Sequence, residues 1–456
     1  MDSKSLEWYN FKENAKILKV EKEEDLSQKE EKFDYILFED LKQLNEVTCL
    51  LKEDGTAILL VDNKFSISHF AGSKPAFGSV YETITKEDEK TFSKKQIEKA
   101  LKEANLEYRF YYLFPTLDNP NVIFSSRYLP AENSSKLIYN VSYLPGSAVV
   151  FDELNALKQL TKNGYFEDFA NCYIVEIGNI ASYQPKFISY NPSRKKEYQL
   201  VTEIYETEVV KKKACQEAES HILQILKNTE NLRKLGFEVI EQSRDGQIVS
   251  RFVNGQTLDK EIAGKILEGN LDDAICQIKS WYHYIGEKLP AVEENGLHMT
   301  RHGYIDLVFE NTFFENGQFV FFDQEWFMEK VPVEFILYRA LQNLYAYNRE
   351  INHVYPYQQM LDLWGLTSYL EIFDQIEKEF QTKVIDEEKI AKNQASLDLL
   401  VDIHELALLN DYKENNRKQD AIIKSLEEDN RKKQEYIESL ERSLNKKNKG
   451  FFRRKQ

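Results

Sequence analysis

The reading of this chain turns on YIDLVFENTFFENGQFVFFDQEW, residues 304–326. Asp306 is followed five positions later by Asn311, a Glu315-Asn316-Gly317 turn comes next, and an apolar run over 319–322 ends at Asp323. That succession predicts a loop, a hairpin and a strand end. Phosphoryl transfer needs a base for the incoming hydroxyl's proton and oxygen ligands for the metal that bridges the phosphates. A loop Asp-x4-Asn beside a strand-end Asp offers all three groups. Taken singly, each residue is commoner as a turn former or helix cap. The spacing as a set carries the reading.

A nucleotide kinase also needs a strand lysine for the phosphates and a helix glutamate to hold it. VVKKKACQEAESHILQIL (209–226) offers both. Strand alternation puts Lys211 on the face of Val209, with Lys212 as the fallback if the register shifts by one. Glu217 falls in the first turns of the following helix, on the face of His221 and Gln224. IVSRFVNGQTL (248–258) then supplies an apolar strand, a short linker and a glycine suited to a hinge at 252–255.

Upstream, FDYILFED (33–40), a helix through the fifties, a turn at Asp54-Gly55 and the β-rich run 56–61 predict one α/β unit. A charged helix over about 93–106 precedes two strands, 108–114 and 121–129, expected as an antiparallel pair at a sheet edge. Three further strands (172–178, 187–206, 209–213) belong to a second architecture.

Downstream of 411, Gly and Pro vanish until Gly450. Ile423, Leu426, Asn430, Lys433, Ile437, Leu440 and Leu444 alternate by three and four, which predicts an a/d coiled-coil seam. A solvated single helix is the plain alternative. The tail KKNKGFFRRKQ (446–456) has six basic residues, two phenylalanines and no acid, a pattern suited to an anionic lipid surface.

The 456 residues imply about three domains. With 60 basic and 76 acidic side chains the net charge is −16, which argues against nucleic acid as the partner of the whole chain. The charge is uneven. Residues 411–456 hold 14 basic and 9 acidic side chains, leaving the first 410 at −21. Four scattered cysteines suit reduced thiols in the cytoplasm, and neither a signal peptide nor a membrane-spanning run is predicted. His298 and His302 stand four apart without a third ligand, and are expected to be solvated or hydrogen-bonded.

The order Lys211, Glu217, hinge, Asp306-x4-Asn311 and Asp323-x-Glu325-Trp326 resembles the aminoglycoside and choline phosphotransferase branch of the kinase-like fold, over about 165–410. The resemblance implies Asp306 as catalytic base, Asn311 and Asp323 as Mg2+ ligands, and Lys211 on the phosphates of ATP, steadied by Glu217. The branch usually has His two residues before that Asp. Here the place is Tyr304, with His302-Gly303 displaced.

Residues 33–72 resemble the second half of a class I methyltransferase. The first strand, 15–20, is followed by Glu21-Lys22-Glu23-Glu24-Asp25, and no glycine occurs before Gly55. The turn that admits S-adenosylmethionine is therefore missing, and neither cofactor binding nor methyl transfer is expected. The whole order is similar to the bifunctional methyltransferase-kinases that terminate O-antigen chains. The expected architecture is a truncated α/β methyltransferase-like domain (1–150), an α+β two-lobed kinase-like domain (151–410), a coiled coil (411–447) and a basic tail (448–456). The expected activity is ATP- and Mg2+-dependent phosphorylation of a sugar hydroxyl on a cell-surface polysaccharide or lipid-linked glycan. Implied partners are pathway glycosyltransferases, further copies of the chain and an anionic membrane at the inner face of the plasma membrane. Two alternatives stand beside it: a catalytically silent scaffold, and a phosphotransferase for a soluble metabolite.

Overall fold

The computed structural model describes residues 3–20, 26, 30–70, 80–85, 91–130, 153–180, 183–386, 418–419 and 422–442. The acidic stretch 21–25, the start of the predicted coiled coil, Leu444 and the basic tail lie outside the described residues. The chain divides into two units, Met1–Ser147 with Glu153–Asp398, and Ala148–Asp152 with Leu399–Gln456.

The first unit is built on a 12-stranded sheet. Its strands are β1 (Ile17–Lys19), β2 (Phe33–Phe38), β3 (Leu51–Asn63), β4 (Thr91–Phe92), β5 (Tyr108–Pro115), β6 (Pro120–Ser125), β7 (Cys172–Gly178), β8 (Phe187–Tyr190), β9 (Leu200–Ile204) and β10 (Glu208–Lys213). After β11 (Glu238–Val239), which lies in another sheet, β12 (Gln242–Arg244) and β13 (Gln247–Arg251) complete it. The order is β1-β2-β3-β7-β5-β6-β8-β9-β10-β13-β12, with β4 pairing off the end of β3. β1, β2 and β3 run parallel, and β7 enters antiparallel between β3 and β5.

The buried run Ala57–Val61 explains β3, because a strand covered on both faces is apolar at every position. Asp54-Gly55 is not the predicted turn. It forms an irregularity inside β3, where the register against Phe33 shifts, and a Cβ on Gly55 would meet Phe33 O at 2.9 Å. The expected helix through the fifties ends earlier, at Leu44–Cys49. β5 and β6 are antiparallel as expected, yet they lie mid-sheet, since β7 and β8 cover their outer edges. β7 lies beyond the predicted boundary at 150 but pairs with β3 and β5, so no break in the sheet occurs at that boundary. Strand pairing across a long connection leaves no local trace in the sequence.

Helix α1 (Lys94–Glu103) begins with a capping box between Ser93 and Gln96. Helix α2 (Glu219–Lys234) buries His221, Ile222, Ile225, Asn228, Thr229 and Leu232 along one face. A predominantly helical region follows, with α3 (Leu258–Leu267), α4 (Leu271–Lys288), α5 (Val333–Tyr347) and α6 (Leu370–Val384) packed around Trp281, Phe309, Phe335 and Phe373. The hairpin Thr312–Glu315 with Gln318–Phe321 turns at Asn316 (φ 51°) and Gly317 (φ 81°), and β11 pairs with it in parallel. In the second unit, residues 422–442 are helical, and Ile423, Leu426, Ile437 and Leu440 are exposed. No helix among the described residues is long and apolar enough to cross a membrane.

Candidate functional site

β10 carries Lys211 inward, and the strand end after Phe321 carries Asp323 to meet it. The Lys211 ammonium donates to Asp323 Oδ1 and, at 2.9 Å, to Glu325 Oε1. Lys211 is 7 % exposed, and burial opposes its charge, but the Asp323 and Glu325 carboxylates raise its pKa. Asp323 has φ 59°, a left-handed conformation that Asp tolerates better than most residues. Its N–H donates to Glu241 Oε1 at 2.6 Å.

Asp306 is buried beneath this group. Its Oδ2 accepts from the backbone N–H groups of Glu325 (3.0 Å) and Trp326 (2.9 Å), and Arg339 stands 4.0 Å from Oδ1. Burial pushes the Asp306 carboxyl up, with Arg339 opposing. Asn311 donates its amide to the carbonyls of Asp306 and Asp323, both at 3.3 Å, joining loop and strand end. Gln324 adds a second tie, donating to Asp306 O at 2.9 Å. Asp306, Asn311, Asp323 and Lys211 are therefore brought together.

Glu217 is not. It lies exposed in the 3-10 turn Gln216–Ala218, outside the buried face of α2. The expected Lys211–Glu217 pair is replaced by Lys211–Glu325, because the residue of α2 that faces inward is His221, whose Nε2 lies 3.6 Å from Glu325 Oε2. Lys212, the fallback, points to the opposite face and pairs with Glu203.

Sequence reading missed three contributors. Glu241 is buried beside Asp323, and burial lifts its pKa to about 7. Arg194, from the β8–β9 loop, pairs with Glu325 and stacks 5.1 Å from the Trp326 ring. His221 stacks on that ring at 4.5 Å. Burial would raise the Glu325 pKa, but Arg194 and Lys211 hold it well below the usual carboxylate range. Only the run Asp323-Gln324-Glu325 hinted at this acid. Arg194 and Glu241 carried no local signal.

His298 is hydrogen-bonded to Glu334, and His302 stacks on Tyr304 at 6.5 Å. The Gly303–Tyr304 strand lies so close to Phe327–Met328 that a Cβ on Gly303 would collide with Met328 O. Tyr304 is thereby packed sideways against a cavity of about 760 Å3 whose lining includes Asn228, Asn231, Trp326 and Phe380.

Oxygen donors for a hard cation are at hand. Asp323 supplies a carboxylate and Asn311 an amide oxygen, while Glu241 Oε2 is buried with no hydrogen-bond partner. Among the described residues no three His, Cys, Asp or Glu side chains form a ready-made metal cage. Mg2+ does not require one, since it is usually held by one or two carboxylates plus phosphates and water.

No protein-family model matches the chain, and no curated protein does. Among solved structures, a crystal structure of WbdD is similar at 12% identity and a TM-score of 0.18, covering 67% of this chain and 57% of that one. WbdD with a bound kinase inhibitor is similar at 14% identity and a TM-score of 0.20, covering 80% and 74%. Likenesses at that level carry no argument about activity.

Proposed function

We propose that the chain is an ATP- and Mg2+-dependent phosphotransferase acting on an alcohol group. The observation that supports it is the meeting of Lys211, Asp306, Asn311 and Asp323 in one largely buried cluster, although Lys211 is more than 90 residues from the others in sequence. In this reading Lys211 holds phosphate, and Asp323 with Asn311 holds Mg2+, which neutralises charge on the phosphates when bound. Asp306 takes the acceptor proton. Its Oδ2 is held by the Glu325 and Trp326 N–H groups beside Asp323, which fixes the carboxyl for that role. The strand order β8-β9-β10-β13-β12, followed by a helical region, also agrees with a two-lobed kinase.

The acceptor class, a sugar hydroxyl of a surface polysaccharide or lipid-linked glycan, rests on the resemblance of the segment order alone. So do the glycosyltransferase partners and the anionic membrane. The strand order β1-β2-β3-β7-β5 agrees with the second half of a methyltransferase, and the connection between β1 and β2 is too short for the missing units. We assign that part a structural role without S-adenosylmethionine.

A silent scaffold is the second reading, favoured by Lys211 being held by two carboxylates and by Glu217 lying outside the cluster. One experiment separates them. Thermal melting with ATP, with and without Mg2+, should show a magnesium-dependent rise that Asp323→Ala abolishes; no rise in the parent protein leaves the scaffold.

A further inference from the structure

Glu325 is gripped from both sides. Lys211 Nζ takes Oε1 at 2.9 Å, and Arg194 Nη1 takes Oε2. A carboxylate and a phosphoryl group share this mode of recognition, an ammonium on one oxygen and a planar guanidinium on another. The two cations are thus spaced to bracket one small oxyanion, and Glu325 fills the position.

The loop that brings Arg194 there is unusual for its place. Residues 191–199, NPSRKKEYQ, join β8 to β9 and contain no glycine. Their backbone cannot wrap closely around a phosphate as a glycine-rich turn does. The loop is instead fastened to the C-terminal end of α6 and the residues just after it: Lys195 N–H donates to Val384 O at 2.9 Å, and Asp386 N–H donates to Ser193 O at 3.0 Å. Lys195 Nζ adds a bond to Thr382 O at 2.8 Å. Arg194 leaves this fastened backbone, passes the Trp326 ring and ends at Glu325, so its guanidinium is held in place by covalent and hydrogen-bonded anchors on both sides.

We propose that Glu325 is a built-in phosphate surrogate, and that Arg194 together with Lys211 forms the oxyanion site that a polyphosphate takes over when it displaces the Glu325 carboxylate. This rests on the phosphotransferase reading for the identity of the polyphosphate, and on the geometry alone for the exchange. Arg194 then supplies through a side chain what a glycine-rich loop supplies through its backbone. The surrogate has a second effect, since with Glu325 in place the buried Lys211 and the half-buried Arg194 are compensated in the absence of ligand.

Inorganic tripolyphosphate, titrated calorimetrically without magnesium into the full chain, is the probe. Glu325→Gln, which keeps the shape and removes the competing charge, should tighten binding about tenfold, a factor equivalent to about 1.4 kcal/mol. Arg194→Ala should weaken it about tenfold, and Arg194→Lys should fall between, because an ammonium lacks the bidentate fork. The double variant Arg194→Ala/Glu325→Gln removes one charge of each sign, guards against misfolding of the single variants, and should bind within about threefold of the parent. Weakened or unchanged binding in Glu325→Gln, unchanged binding in Arg194→Ala, or no binding by either parent or Glu325→Gln overturns the proposal. ATP with Mg2+ is titrated alongside. The tripolyphosphate pattern without ATP binding supports the oxyanion exchange and removes the nucleotide reading.

Discussion

Lys211 donates to Glu325 Oε1 at 2.9 Å, whereas Glu217, in the 3-10 turn that precedes α2, faces solvent. The ion pair that steadies the buried lysine is therefore drawn from the strand-end loop. This contrast gives a direct test. Lys211→Ala leaves Asp323, Glu325 and Glu241 without their shared cation, and should cost about 3–5 kcal/mol of stability as well as ligand binding. Glu217→Ala should leave stability at the parent's level, as expected of an exposed side chain. Urea unfolding of both variants decides it, and equal costs would refute the assignment.

Asp306→Asn should separate binding from turnover. The amide oxygen can still accept from the Glu325 and Trp326 N–H groups, so the fold and Mg-ATP binding persist. Loss of the proton acceptor should lower turnover about 10²–10⁴-fold with any accepted alcohol. A variant that loses ATP binding in step with activity would place Asp306 in support of the fold and not in the chemistry.

Glu241 makes stability depend on pH. Its carboxyl is raised from an ordinary 4.5 to about 7 in the folded chain, mainly by burial. Between those values the unfolded chain releases the proton while the folded chain keeps it. Stability from this group should therefore fall as pH rises from about 4.5 to 7 and level off above, a change of a few kcal/mol. Glu241→Gln should flatten that slope. In urea midpoints, its advantage over the parent at pH 8 should shrink toward pH 5, and a parallel offset at both pH values would remove Glu241 as the cause.

The helix over 422–442 leaves Ile423, Leu426, Ile437 and Leu440 exposed. An apolar seam of this spacing should be buried by other copies of the chain. Light scattering of the full chain should give an oligomer, and Ile437→Asp with Leu440→Asp should give the monomer mass. A monomeric parent would leave a solvated helix.

Asp306, Asn311 and Asp323 were legible because one local segment carries them at fixed spacing around a hairpin, and Lys211 because it sits in a strand followed by a helix. Glu217 lies outside the expected face because α2 begins only at Glu219 and Glu217 sits in the 3-10 turn before it, where the helical spacing to His221 and Gln224 does not apply. α2 rotates so that Ile222, Ile225 and Leu232 are buried, and His221 goes with them. β7 pairs with β3 and β5 across the expected boundary at 150, a neighbour choice that its apolar run, which predicts a strand, does not name.

By itself, the sequence determined the existence and type of most of these elements, the acidic body with its basic end, and the spacing of the Asp306–Asp323 segment. These depend on local periodicity, turn chemistry and charge. Only the tertiary structure decided that the two predicted architectures share one sheet, that Glu325 is the partner of Lys211, and that Arg194 and Glu241 join the cluster. Such pairings are set by burial, where a charge removed from water must find a counter-charge wherever the packed chain supplies one.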